Sequence, residues 1–110
     1  GNLSSLTHLD LHSNAFTGEV PSELGRLSNL EVLSVSSNGR LSGTLPSSLA
    51  SLPQLTELEV EKSGIDNVQN VCDAGLEIPI FIADCLKEGF DCDCCSKCCK
   101  LDGSNKLQCE

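Results

Sequence analysis

Tryptophan and tyrosine are absent from the 110 residues, and phenylalanine occurs only three times. An aromatic core is therefore excluded. The 39% of hydrophobic residues suffices for an interior built from Leu, Val and Ile, which suits a repetitive aliphatic stack better than an irregular globule. Basic residues are also scarce: 7 Lys and Arg against 16 Asp and Glu, for a formal net charge of −9. Phosphate backbones are held by clustered Lys and Arg, so nucleic acid is excluded as a partner. No stretch is long and apolar enough to span a membrane. No leader peptide opens the chain, which starts in mid-pattern at Gly1-Asn2-Leu3 and is read as a mature fragment of a longer protein. Cysteine is missing from Gly1 through Val71, and all eight lie at or after Cys72.

The chain does contain a repeat. Leu6, Leu9, Leu11 and Asn14 recur in the same order and spacing as Leu30, Leu33, Val35 and Asn38. Gly18, Pro21, Leu24 and Leu27 recur likewise as Gly43, Pro46, Leu49 and Leu52. The second offset is longer than the first by a single position. That extra residue falls in the turn Asn38-Gly39-Arg40-Leu41. A third copy opens at Leu55, Leu58 and Val60, carries Ser63 in place of Asn, and closes at Ile65.

Each position in the repeat has a physical purpose. Leu9 and Leu11 alternate with polar residues, as a short strand with one buried face requires. An Asn amide after the strand satisfies backbone groups where the chain turns inward. Glycine reaches backbone conformations closed to other residues. Proline fixes φ and leads into a short turn or helix. The expected strands stack in parallel at about 4.8 Å.

This pattern resembles the plant-type leucine-rich repeat, LxxLxLxxNxLxGxIPxxLxxLxxL, over roughly Leu3 to Ile65. The resemblance implies an α/β fold: a short solenoid of parallel strands linked by helical or 3-10 turns. Residues 1–65 form about two and a half repeat copies and residues 66–110 a Cys-rich capping region. Family members include receptor ectodomains and secreted inhibitors of cell-wall-degrading enzymes, which work by binding. The expectation is an extracellular, secreted or cell-surface module that engages a protein or glycan partner. The alternative is a structural subunit or spacer of an extracellular filament, matrix or wall. In that case further copies dock on the open N-terminal repeat, where Leu3 and Leu6 are uncovered.

Strand alternation maps the partner-facing positions. With Leu9, Leu33 and Leu58 buried, the columns His8–Val32–Glu57, Asp10–Ser34–Glu59 and His12–Ser36–Glu61 share the concave face. It grades from a His/Asp row through serines to three carboxylates spaced about 7 Å apart along one strand. His8, Asp10 and His12 are chemically able to hold a transition metal, but exposed polar residues are the default on a solvated strand face, and no metal site or cofactor is assigned. A serine near a histidine suggests nucleophilic catalysis. Neither a nucleophile elbow nor an oxyanion-forming turn accompanies the pair, so no enzyme is expected. Asn2-Leu3-Ser4 is a glycosylation sequon at Asn2.

Beyond Ile65 the consensus is lost. The run Ile78 to Ala83 reads as a last strand covering the open end of the solenoid. Cys72, Cys85, Cys92, Cys94, Cys95, Cys98, Cys99 and Cys109 allow 105 pairings as four disulfides. Vicinal cysteines are poor partners, so 94/95 and 98/99 are expected to pair outward, two of them reaching back to Cys72 and Cys85. The C-x-C and C-x-x-C steps also suit a thiolate metal cluster. An attached extracellular repeat favours oxidation. The series Ala83-Asp84-Cys85 followed by Cys92-Asp93-Cys94-Cys95-Ser96-Lys97-Cys98-Cys99 is similar to the tail of secreted leucine-rich repeat proteins of diatoms and related algae.

Overall fold

The computed structural model describes all residues except 1–4, 12–17, 39, 40 and 105. The strands are β1 (His8–Asp10), β2 (Val32–Ser34), β3 (Glu57–Glu59), β4 (Ile80–Ala83), β5 (Lys97–Leu101) and β6 (Leu107–Cys109). They form one six-stranded sheet in chain order. β1 to β5 run parallel, and β6 turns back antiparallel on β5. The register aligns Leu9, Leu33, Leu58 and Phe81 in one column. Leu33, Leu58 and Phe81 have no solvent exposure.

Parallel neighbours cannot be joined by a hairpin, so the chain crosses the far side of the core after each strand. Pro21 and Pro46, at φ −65 and −69, start 3-10 turns at Ser22–Arg26 and Ser47–Ser51. A 3-10 turn has three residues per turn and so advances the chain in little length. Leu49 of the second turn is fully buried. Gly18 and Gly43 adopt φ of 84 and 78, and a side chain at Gly43 would collide with the Glu19 carboxylate.

Asn38 behaves as its position in the repeat requires. Its buried amide donates to the carbonyls of Leu11 at 2.8 Å, Val35 at 2.9 Å and Ser36 at 3.1 Å. It thereby links two successive turns of the solenoid. Asn14 lies outside the described residues. In the third copy Ser63 is a shorter substitute. Its hydroxyl donates to the Val60 carbonyl of its own turn at 2.6 Å.

The winding outlasts the recognisable consensus. After Ile65 the chain still crosses the core, now through α1 (Gln69–Asp73) with Val68 and Val71 fully buried. It then enters β4 with Phe81 in the leucine column. The backbone thus winds for another turn beyond the point where the consensus is lost. One expectation needs correction: the Ile78–Ala83 run supplies a strand, Ile80–Ala83, that is not the last one, since β5 covers it and the β5–β6 hairpin closes the sheet.

All eight cysteines are paired. Cys72–Cys94 joins α1 to the segment before β5, and Cys85–Cys98 joins the exit of β4 to β5. These are the two links reaching back to Cys72 and Cys85. Cys92–Cys95 closes a local loop, and Cys99–Cys109 staples β5 to β6. Neither vicinal pair is bonded.

Replacing Asn38 with Ala strips buried carbonyls of their donor and is expected to cost about 1–3 kcal/mol, read as a lower denaturation midpoint. An unchanged midpoint would remove Asn38 from the framework. The Cys85→Ala/Cys98→Ala pair opens a link of 13-residue separation, worth about 3 kcal/mol. Proteolysis of this variant should begin between β4 and β6, and cleavage starting elsewhere contradicts the assignment.

Candidate functional site

Two of the three expected columns are in register on the strand face. His8 aligns with Val32 and Glu57, and Asp10 with Ser34 and Glu59. His8, Asp10, Ser34, Ser36, Glu57 and Glu59 line one shallow cavity of about 270 Å³, together with Val32. Glu61 follows the strand just beyond it, at a turn where the Ser37 amide donates to its carbonyl. His12 and Asn2 lie outside the described residues, so the spacing of the His8, Asp10 and His12 group is not defined.

The serines depart from the simple outward picture. Ser34 and Ser36 are 6% and 7% exposed, and their hydroxyls meet at 3.2 Å. They share the face but form its floor, because short side chains in a concave surface are overhung by longer ones on either side. The His8 ring nitrogen Nδ1 lies 3.0 Å from the Thr7 hydroxyl. The serine hydroxyls thus meet each other, and the described histidine meets a threonine.

The face is wider than strand alternation over three copies implies. The register sets Ile80 beside Glu57 and Ile82 beside Glu59, then Lys97 beside Ile82. Ile80 is 41% exposed, which makes it one of two large hydrophobic residues left open to solvent among the described residues. Glu57 and Glu59 are therefore flanked by Val32 and Ser34 on one side and by Ile80 and Ile82 on the other. The signal for Ile80 and Ile82 was present: Phe81 follows Leu58 at nearly the interval that separates Leu58 from Leu33, with alternating neighbours.

The Leucine rich repeat family profile matches residues 4–65, more than half of the chain. The chain belongs to the leucine-rich repeat family. Two proteins of Arabidopsis thaliana, Receptor-like protein 41 and Receptor-like protein 39, are each 49% identical to it over 57 residues. That stretch is 51% of this chain and 6% of each relative, so the chain spans a small part of the length of the curated relatives it matches. No solved structure matches it significantly.

Charge on the leucine-rich repeat face is concentrated on β3. Glu59 is pushed up to about 7, first by the hydrogen bond that its protonated carboxyl shares with Glu57, then by burial and by repulsion from Glu61, Glu57 and Asp10. Burial is the main cause of the upward shift at Glu61, and repulsion from Asp84 and Glu57 adds to it. One carboxylate oxygen of Glu61 is enclosed without a hydrogen-bond partner among the described residues. Asp84 is also raised, mainly by burial, although the backbone amides of Lys62 and Ser63 offset part of the shift. The crowding of carboxylates and their burial thus raise the proton affinity of the row.

A carboxyl raised above its ordinary value favours folding at low pH, and that contribution is lost as pH rises through the folded-state value. For Glu59 the window runs from its ordinary 4.5 to about 7, and Glu61 and Asp84 act in the same direction. Asp102, lowered chiefly by the amides of Lys106 and Ser104, has the opposite sign and acts only in the acid range. Melting temperature is expected to fall across pH 4.5–7, and Glu59→Gln should flatten that decline. Parallel curves for the two proteins would contradict a proton held at Glu59.

Proposed function

We propose that this leucine-rich repeat chain is a non-enzymatic interaction module of the cell exterior, and that it grips a protein partner on the concave face of β1 to β4. The observation that carries this reading is the carboxylate row of β3 set against the isoleucine column of β4. A ligand that answers both carries Lys or Arg side chains alternating with aliphatic ones, as an extended basic peptide segment does. The partially protonated row lowers the charge repulsion of the empty face, and a cationic ligand displaces that proton. Electrostatic complementarity of this kind sets specificity and association rate.

Four disulfides support an oxidising compartment, and the receptor-like names of the two relatives agree with it. A glycan at Asn2 fits the same location and is part of the proposal. A glycan partner has less support on this face, because among the described residues no phenylalanine ring lines the cavity to stack on a sugar.

A second reading has one observation in its favour. Leu6, Leu9, Leu11, Leu24 and Leu27 of the first repeat are only partly buried, whereas Leu30, Leu33, Val35, Leu49 and Leu52 at the matching positions are buried. The first repeat therefore offers an apolar surface to another repeat, whether from a preceding segment or from a second copy in an extracellular assembly. Light scattering across a concentration series separates the two roles. A monomer at all concentrations removes self-assembly.

The binding face is tested with Glu57→Gln/Glu59→Gln/Glu61→Gln and synthetic hexapeptides that alternate Lys with Ile. Affinity for the parent chain is expected to rise from pH 5.5 to 8 as Glu59 ionises. The triple variant should bind at least about tenfold more weakly and lose the pH dependence. Unchanged affinity would remove the concave face from the function.

A further inference from the structure

We propose a second binding site, at the carboxyl-terminal edge of β3, β4 and β5, that takes an acidic peptide segment carrying aliphatic side chains. Parallel strands deliver the segments that follow them to the same edge of the sheet. Here those segments surround an open cavity of about 790 Å³. Its size lies within the roughly 300–1,000 Å³ of ligand sites, and it is separate from the acidic concave face.

The charge of this cavity runs against that of the chain. The protein carries seven basic residues and a net charge of −9. Yet Lys62 after β3, Lys87 after β4 and Lys100 within β5 all line this one space. Three of the five lysines therefore converge there, from positions scattered along the sequence. Two carboxylates share the lining, Asp84 and Glu88. That of Asp84 is engaged in the framework: it accepts the backbone N–H of Lys62 at 2.9 and 3.1 Å and so holds the β3 exit against the β4 exit. Lys62 itself stands at φ 58, in a tight turn shaped by that contact. The lining retains an excess of cations, whereas the concave cavity has Asp10, Glu57 and Glu59 and no lysine.

The rest of the lining selects the ligand class. Leu86 and Leu101 give the cavity an apolar wall, and Leu101 is 45% exposed, the largest value among the open hydrophobic residues. An inorganic anion gains nothing from that wall. Among the described residues no phenylalanine lines the cavity to stack on an acidic sugar. A peptide that alternates Asp or Glu with Leu or Val meets both the ammonium groups and the leucines. Long lysine side chains around an apolar floor can cover aliphatic groups with their stems while pairing through their tips.

The test titrates an N-acetylated Asp-Leu-Glu-Leu-Glu peptide into nitrogen-15-labelled, fully disulfide-bonded protein at pH 7.5 and 0.15 M salt. Saturable shifts are expected at the amides of Lys62, Ser63, Leu86, Lys87, Lys100 and Leu101. The Asn-Leu-Gln-Leu-Gln analogue should bind at least about tenfold more weakly, and so should the parent peptide to Lys62→Glu/Lys87→Glu/Lys100→Glu. If that variant misfolds, judged by its β1–β3 cross-peaks, Lys100→Glu alone carries the test with an expected loss of about threefold. Leu101→Ser should weaken binding while leaving the preference for the acidic peptide in place. The Glu57→Gln/Glu59→Gln protein, altered only at concave-face positions away from this cavity, must bind the acidic peptide normally, so this site and the concave face fail independently. The proposal is overturned by absent or non-saturable shifts, by equal binding of the amide analogue, by full binding to the lysine variants, or by a preference for an oligogalacturonate over the peptide.

Discussion

Burial of one side chain per strand by the next turn of the winding is the interaction on which the structure depends. β1, β2 and β3 are three residues long, and each sends one leucine, Leu9, Leu33 or Leu58, into the core. A strand so short with a single inward residue is unstable alone. It persists because the leucine above and the leucine below close over it, which makes stability a sum of nearest-neighbour terms. The gradient of burial follows directly. Leu33 and Leu58, with neighbours on both sides, are sealed, and Leu9 in the first repeat is only partly covered. Asn38 serves the same coupling in polar form, since its amide answers carbonyls of two different turns and so penalises any slip between them.

Such a stack must end somewhere, and the ending determines the chemistry of the C-terminal half. Phe81 takes the leucine position in β4 with no exposure, and its larger ring fills the end of a core whose other fully buried side chains, among the described residues, are mostly aliphatic. Beyond it no further long repeat covers the sheet. Cross-links take over: Cys85–Cys98 and Cys72–Cys94 hold β5 and the segment before it against the last turn. Disulfides restrict the unfolded chain, so they can stabilise β5 and β6 where little apolar surface is available. Antiparallel β6 then occupies the edge of the sheet, and the Cys99–Cys109 staple keeps it there.

The repeated half was legible because one residue type at one spacing has one physical explanation. Leucine at Leu9, Leu33 and Leu58, Asn38 after its strand, and glycine and proline at Gly43 and Pro46 all occupy the places that their chemistry dictates. What stayed hidden depends on neighbours rather than on period. Ser34 and Ser36 read as open face residues, and their burial reflects the side chains beside them. Ile80 and Ile82 sit in a strand whose consensus letters have gone, so they join the face only once Phe81 is aligned with Leu58. β5 was obscured by its cysteines, which look like a loop cluster in one dimension and prove to be a strand. The pairing of those cysteines is a fact of three-dimensional proximity that the many equivalent arrangements conceal.

The same geometry accounts for two surfaces of opposite character on so small a chain. Side chains within β3 point alternately into the core and onto the face, so Glu57 and Glu59 are held side by side on the concave surface. Just past the strand the backbone turns at Lys62, and residues following parallel strands gather at the edge instead. Acidic residues inside the strands and lysines after them are thereby sorted onto different surfaces by the path of the backbone. Glu61 and Asp84 lie at the boundary, enclosed enough that burial raises both. Asp84 bonds the Lys62 amide from there, which ties the two exits together and separates the acidic face from the lysine-lined cavity. A partner with a basic stretch and an acidic stretch a short distance apart would meet both surfaces at once. Linking two modest contacts on one chain raises affinity through effective concentration rather than through any single strong bond, and a module with a shallow face gains most from that arrangement.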